Sequence, residues 1–379
     1  MDLIMGIIVG LIILTLIVIA HEFGHAFTAY RNGVKIEEFG VGFPPRALKK
    51  RLKSGILVSL NWLPLGGFVK LKGEYDAAKG EGAYGAATFW QKTKILLAGV
   101  TVNWLLAALI LTGLALTGLP KVFENQFSVV GDTTIVSQPV EITALTDSHA
   151  AQKAGLKVGD KITKFAGQTV SGAEDLIVLS EQNKGRAVEV VYERNGVKST
   201  IKVQLGDSKN GGYFGVQLGQ REYIKATWSA PIVGVATTAQ FTGETFKGLG
   251  GMLVNLASGI VKQFSLNPET RKQASADLAT VSSGVAGPIG ILGTIFPSAQ
   301  KAGVTQLLFL TAIISLSLAV MNVLPIPALD GGRWATTAIF RLSKKKLTKA
   351  REEKIQSVGF MVLMSLIIVI TVADVAKLF

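Results

Sequence analysis

The sequence predicts a membrane α-helical protein: four transmembrane helices, a membrane-associated β-hairpin or sheet at 56–72, and an inserted soluble α+β domain. Three observations predict it. Apolar runs of membrane-crossing length recur at 3–20, 95–118, 304–324 and 359–373, the last reaching full length if it begins near Ile355. Lys and Arg are concentrated in two short segments beside those runs, with twelve against five acids in 28–94 and eight against two in 331–354. The stretch 120–300 is nearly balanced, seventeen against fifteen, and within it 125–220 carries short β-patterned runs between turn signals.

With 379 residues there is room for two or three domains. A hydrophobic content of 49% points to membrane, while 17% charged residues require a solvated part as well. The net charge of +13 would by itself suit nucleic acid. Its confinement to segments beside apolar runs is instead the positive-inside pattern, and no nucleic-acid partner is expected. Cysteine is absent, so neither disulfides nor a thiolate metal site can form. Histidine occurs only at 21, 25 and 149.

The first apolar run flows straight into His21-Glu22-Phe23-Gly24-His25, and the helix is expected to continue to about Tyr30. Only Asp2 precedes the apolar core and no small-residue cleavage site follows it, so a retained span is expected rather than a signal peptide. Four residues apart on a helix, His21 and His25 project from one face and can share a metal ion. Glu22 lies about 100° further round, close enough to act on a water held there without being a ligand. Ionisable groups at the end of such a helix are costly and so seldom incidental. The third protein ligand has to be a carboxylate or His149.

Segment 31–92 is basic and Gly-rich. Residues 56–72 read as two apolar strands around Leu63-Pro64-Leu65-Gly66-Gly67, with an edge that Gly66, Gly67 and Phe68 could offer to a substrate strand. Asn103 is the lone strongly polar residue of the second run; it contacts the first helix or the site, or bonds between helices. In the middle region, β-runs at 140–144, 187–192 and 200–204 alternate with turns such as Asn195-Gly196. The string Ser148-His149-Ala150-Ala151 through Gly159-Asp160, followed by a helix at 173–181, resembles a bacterial PDZ domain. That resemblance implies peptide recognition rather than chemistry and makes His149 a surface residue. Residues 228–264 carry an apolar stripe expected to lie on the membrane surface, and 268–283 reads as polar linker. The third span runs into Asn322-Val323-Leu324-Pro325-Ile326-Pro327-Ala328-Leu329-Asp330-Gly331-Gly332, whose prolines must break the helix and leave Asp330 just past the break. The expected domains are 1–118, 125–220, 221–300 and 301–379.

With both basic segments on one side, four spans put His21, His25 and Asp330 at one depth near the cytosolic face, and put the inserted domain outside. The combination of H-E-F-G-H, Gly40-Val41-Gly42-Phe43, Leu63–Lys70, a PDZ-like insert and the N-x-x-P-x-P-x-L-D-G-G string resembles the site-2 protease family, and within it the bacterial regulator of sigma-E protease type. Gram-negative members carry two PDZ domains, and one is legible here. The resemblance implies an intramembrane zinc metalloprotease of the bacterial inner membrane. His21, His25 and Asp330 would bind Zn2+, Glu22 would be the base, and Asn322 would contact substrate or intermediate. The implied substrates are single-span membrane proteins such as anti-sigma factors or signal-peptide remnants. The competing reading is an inactive membrane scaffold that recruits partners through its PDZ domain.

Overall fold

An apolar run free of proline builds one helix from Asp2 to Arg31, α1. The computed structural model describes residues 2–194, 196–207 and 213–376, so Asn195 of the expected Asn195-Gly196 turn lies outside the described residues. The chain divides into two units, Met1–Leu114 with Pro231–Phe379, and Ala115–Ala230.

In the first unit α1 is followed by two long strands, β1 (Ile36–Arg51) and β2 (Leu57–Leu71), and then by α2 (Phe89–Thr117). Of the hairpin or sheet expected at 56–72, the register shows the sheet and not the hairpin. Residues 67–71 pair with 36–41, which also face 57–60, which in turn face 46–51. Pro64 therefore bends one long strand without closing a hairpin, and 67–71 is an outer edge of the sheet. Aromatic rings fill the glycine positions: a Cβ on Gly40 would run into the Phe68 ring, and one on Gly66, at φ +92°, into the Phe43 ring. Buried Glu38 ties the sheet together by accepting from Arg46 at 2.5 and 3.0 Å and from Ser59 at 2.7 Å. The Arg46 guanidinium holds the Glu38 carboxyl below the usual carboxylate range.

The second unit contains β3 (Leu119–Lys121), β4 (Thr134–Ser137), β5 (Val140–Leu145), α3 (Ala150–Lys153), β6 (Lys161–Phe165), β7 (Gln168–Thr169), α4 (Ala173–Gln182), β8 (Ala187–Arg194), β9 (Val197–Gln204), β10 (Val216–Gly219) and β11 (Glu222–Lys225). One sheet runs β10-β5-β6-β8-β9 with β7 on β6, and a second runs β3-β11-β4. Alternating apolar positions of the first sheet, including Val140, Ile142, Ile162, Val188 and Val190, close a core with Leu176 and Leu179 of α4. A cavity of about 290 Å³ lies between α4 and edge strand β10, lined by Leu176, Ile177, Ser180, Val216 and Leu218. His149 starts α3 half-buried, with its Nδ1 2.8 Å from the Asp147 carbonyl. Asp132 accepts from the backbone and hydroxyl groups of Thr227 and Ser229, which hold its carboxyl down to about 2.

The chain then returns to the first unit as α5 (Ala230–Gln263), α6 (Pro268–Gly284), α7 (Pro288–Gly290), a π turn (Ile291–Ile295) leading into α8 (Phe296–Ala302), α9 (Val304–Val323), α10 (Asp330–Leu342) and α11 (Lys349–Ala376). One expectation is corrected here, that of a linker at 268–283. The first half of α5 runs antiparallel along α2. A Cβ on Gly234 would meet Thr112, and Trp104 Nε1 donates to Thr242 Oγ1 at 3.0 Å. Small buried residues such as Ala230, Thr237 and Thr238 allow this approach. The expected linker 268–283 is helix α6, started by Asn267 accepting from Glu269 N and by Pro268 in the first turn. It packs back on α5 through Lys262–Asp277 at 2.9 Å.

Among the described residues, four helices are long and apolar enough to cross a membrane: Leu3–Arg31, Phe89–Thr117, Val304–Val323 and Lys349–Val375. The second and fourth begin earlier than their apolar runs because the charged turns ahead of each run stay helical, held by partners described below.

Candidate metal centre

The C-terminal half of α1 lies against the N-terminal half of α2 with little room between them. A Cβ on Gly24 would press on Ala98 and Val102 of α2, and a Cβ on Gly99 would land on the His21 and His25 rings. The missing side chains leave a hollow that the two imidazoles fill, both of them buried.

Asp330 reaches the same hollow from the far end of the sequence. After α9, Leu324 leaves helical geometry and Ala328 adopts φ +77°, a fold held by Ala328 N donating to Gln356 Oε1 at 2.6 Å. The chain doubles back so tightly that Gly331 and Gly332 leave no space for a Cβ beside the Val323, Leu324 and Ile326 carbonyls, and Gly359 leaves none beside Pro327. This is why two glycines follow the aspartate. Asp330 opens α10 with its carboxylate turned to the histidines.

The three groups converge. Asp330 Oδ2 lies 3.1 Å from His21 Nε2 and 3.2 Å from His25 Nε2, and the two Nε2 atoms are 3.1 Å apart. One ligand atom from each residue fits within 4.8 Å of the others. His25 Nδ1 is 2.7 Å from the Ile95 carbonyl, which can only accept, so the proton sits on Nδ1 and Nε2 keeps its lone pair. Three electron-pair donors at this spacing repel one another unless a cation lies among them. Two imidazoles and one carboxylate form a donor set suited to zinc. Asn103 adds a second contact, its side-chain amide 3.3 Å from His21 Nδ1. Among the described residues its Oδ1 is buried without a partner, so the opposite amide orientation lets that oxygen accept from Nδ1–H and leaves His21 Nε2 bare as well.

Glu22 stands beside the cluster, next to the β2 backbone. A Cβ on Gly67 would come 3.3 Å from Glu22 Cγ and 3.2 Å from Val18. The 67–71 edge is thus brought directly to Glu22, with Gly67 and Phe68 on it and Gly66 just before it. Asn322 is half-buried on the last turn of α9, and His149 belongs to the other unit.

An ionic network ties Asp330's helix to its surroundings. Arg333 donates to Glu74 Oε1 at 3.1 Å and to the Glu74 carbonyl at 2.9 Å, and sits 3.9 Å from Glu352 on α11. Asp76 N donates to Glu352 at 2.9 Å, and Lys92 of α2 pairs with Asp76 at 2.5 Å. Buried Tyr84 lies under both Lys92 and Arg333. Sequence reasoning missed Gly99, Ile95 and this network. A glycine in an apolar helix has many ordinary readings, a carbonyl leaves no trace in a sequence, and charges in a basic loop look solvated.

Comparison with known proteins extends over almost the whole chain, which matches peptidase family M50 across residues 9–366. A Clostridium perfringens protein carrying a zinc-metalloprotease name is 30% identical over 371 residues that cover 98% of each chain. Zinc metalloprotease RasP of Bacillus licheniformis is 25% identical, covering 98% of this chain and 99% of that one. Regulator of sigma-W protease RasP of Bacillus subtilis is 24% identical with the same coverage. Among solved structures, the PDZ domain of the SdrC-like protein of Listeria monocytogenes covers 24% of this chain and 93% of its own, at 21% identity and a TM-score of 0.20. With a match spanning four apolar helices and the whole His-Glu-x-x-His to Asp330 arrangement, the chain belongs to peptidase family M50, the site-2 proteases, and is a membrane zinc metalloprotease.

Proposed function

We propose that this metalloprotease cuts peptide bonds in or near the transmembrane segment of single-span membrane proteins, with His21, His25 and Asp330 as zinc ligands and Glu22 as the base. The observation that carries the reading is the meeting of three ligand atoms from α1 and α10, with Glu22 and an open strand edge beside them. Zinc bound there would supply Lewis acidity for the scissile carbonyl and for the attacking water.

Glu22 is the proposed group that takes the proton from water and returns it to the leaving amine. Asn322 is the proposed amide donor to the developing oxyanion. A substrate helix hides its carbonyls in its own hydrogen bonds, so it must unwind and re-pair before it can be cut. The 67–71 edge offers that pairing, with Gly66 and Gly67 letting the added strand approach and Phe68 packed over Gly40. A strand laid along this edge runs past Glu22.

The positive-inside charge pattern favours a bacterial inner-membrane enzyme with its centre near the cytosolic face and the second unit, read as a PDZ domain, outside. The name of the Bacillus subtilis relative, regulator of sigma-W protease, supports anti-sigma factors as a substrate class and regulated intramembrane proteolysis as the setting. Reconstituted wild type and Glu22→Gln, assayed on a single-span reporter with zinc measured in both, test the reading. Equal zinc with cleavage by wild type alone is expected. Cleavage by Glu22→Gln would remove Glu22 from the base role, and preference for a soluble reporter would overturn the substrate class.

A further inference from the structure

The end of the first unit nearest Arg31 holds a cavity that the protease chemistry does not use. Its volume is about 610 Å³, and its walls are the 76–88 loop, the start of α2, the end of α10 and the 345–349 connection to α11. Six cations line it (Lys79, Lys92, Arg341, Lys345, Lys346 and Lys349) against one acid, Asp76. Asp76 is taken by Lys92, and Lys349 lies 3.7 Å from Glu353. Among the described residues Lys79, Lys345 and Lys346 make no ion pair, and Arg341 rests over the Phe89 ring at 5.2 Å.

The basic connection is built rather than loose. Lys344 takes a left-handed conformation at φ +53° that side chains rarely adopt. Its N–H donates to the Arg341 carbonyl, and Lys345 N–H donates to the Phe340 carbonyl at 3.0 Å, a helix-ending turn that reverses the chain. Leu347 then anchors the returning segment at 5% exposure. The effect is to turn Lys345 and Lys346 towards Lys79 on the facing loop. Next to the lining residues Phe89 and Arg341, Trp90 and Leu342 are 72% and 83% exposed. Both α2 and α11 begin here, so a cationic hollow, with exposed apolar side chains on residues adjoining its lining, sits at the ends of two membrane-length helices.

We propose that this cavity binds the phosphate headgroup of an anionic phospholipid, with the acyl chains lying against Trp90 and Leu342. The lysines supply charge for the phosphate, and the exposed apolar side chains select a lipid over a free anion. The inference rests on the unit being membrane-embedded and not on the metal centre.

The test uses full-length protein in detergent, titrated with phosphatidylglycerol or phosphatidylcholine of identical chains, with bound lipid counted by native mass spectrometry. Phosphatidylglycerol is expected to bind at about tenfold lower concentration than phosphatidylcholine, a preference that shrinks with added salt. Lys345→Gln with Lys346→Gln should abolish most of that preference, whereas the equal charge loss Lys49→Gln with Lys50→Gln should preserve it. Where the first pair fails to fold, Lys79→Gln carries the same expectation. An unchanged preference in the cavity variants overturns the proposal, as does displacement of the lipid by millimolar inorganic phosphate, which would mark a soluble-anion site. Because lipid mass is the readout, the outcome is separate from whether the enzyme cleaves its reporter.

Discussion

The Nδ1 of His25 lies 2.7 Å from the Ile95 carbonyl, and one turn further along α2 Gly99 leaves the space that the His25 Nε2 occupies. One helix thus sets both the tautomer of a proposed ligand and the position its ring can take. Gly99→Ala should therefore displace that ring. Its methyl would fall on both Nε2 atoms, while alanine improves helix propensity by about 1 kcal/mol over glycine. The expected outcome is zinc far below stoichiometric, by elemental analysis, in a protein whose helical content and melting are unimpaired. Full zinc occupancy in that variant would show that the hollow over Gly99 does not set the position of the ligands.

Asn103 bears on the other imidazole. Partners of this kind orient a ligand and fix its proton, and losing one weakens metal binding by about 10–100-fold. Asn103→Leu, similar in size and apolar, should lose zinc to a chelator at correspondingly lower concentration. Asn103→Asp, which keeps an accepting oxygen at His21 Nδ1, should retain most of the affinity. Equal chelator sensitivity in wild type and Asn103→Leu would reduce this contact to helix packing.

Arg333 joins three segments that are distant in sequence, and both its carboxylate partners lose their counter-charge if it is truncated. The Glu352 side chain is only 4% exposed, so leaving it unpaired costs more than a surface pair would return. Arg333→Met is expected to destabilise by about 3 kcal/mol, read as a lower unfolding temperature in detergent. Adding Glu352→Gln should recover part of the loss. A melting temperature equal to wild type in Arg333→Met would show the network to be solvent-screened.

The chemistry of the centre was legible in sequence because it is carried by side chains at fixed helical spacing. His21, Glu22 and His25 could be read from four-residue geometry, and Asp330 from a proline-broken helix end. What could not be read was which backbone meets which. Whether 57–61 pairs with 67–71 or with 36–41 depends on bends near Pro44-Pro45 and Pro64, and alternation of apolar residues is the same in either register. The α5–α6 hairpin was obscured for a different reason. Its close-packed face is made of Gly, Ala and Thr, which carry little hydropathy, and α6 is polar apart from residues such as Leu278 that meet Gly259. Its start signal, Asn267-Pro268-Glu269, was nonetheless present.

In the second unit Asp132 provides a pH prediction. Its folded value of about 2 lies below the ordinary aspartate value, so the folded state favours the ionised form. The stabilisation is complete above about pH 4, the unfolded value, and is lost as pH falls through about 2. Hydrogen exchange at 134–137 and 222–229 should therefore quicken in wild type over that interval. Asp132→Asn should exchange faster already at neutral pH and respond little to acid. Identical acid responses in the two proteins would remove Asp132 from the stability of the β3-β11-β4 sheet.

The approach of the 67–71 edge to Glu22 separates strand pairing from metal chemistry. A Cβ on Gly67 would come 3.3 Å from Glu22 Cγ, so a substrate strand added along this edge runs beside the proposed base. Lys70→Pro removes a backbone N–H from the outer strand and disturbs the edge without touching α1 or α10. The proposed ligands lie on those two helices, so zinc content should stay at the wild-type level. Cleavage of a single-span reporter should fall, with a pH–rate profile of unchanged shape because the proton acceptor is untouched. Lys70→Ala keeps the backbone donor and should cleave near the wild-type rate. If Lys70→Pro cleaves as fast as wild type, the 67–71 edge does not carry substrate, and if it loses zinc, the edge supports the metal centre instead.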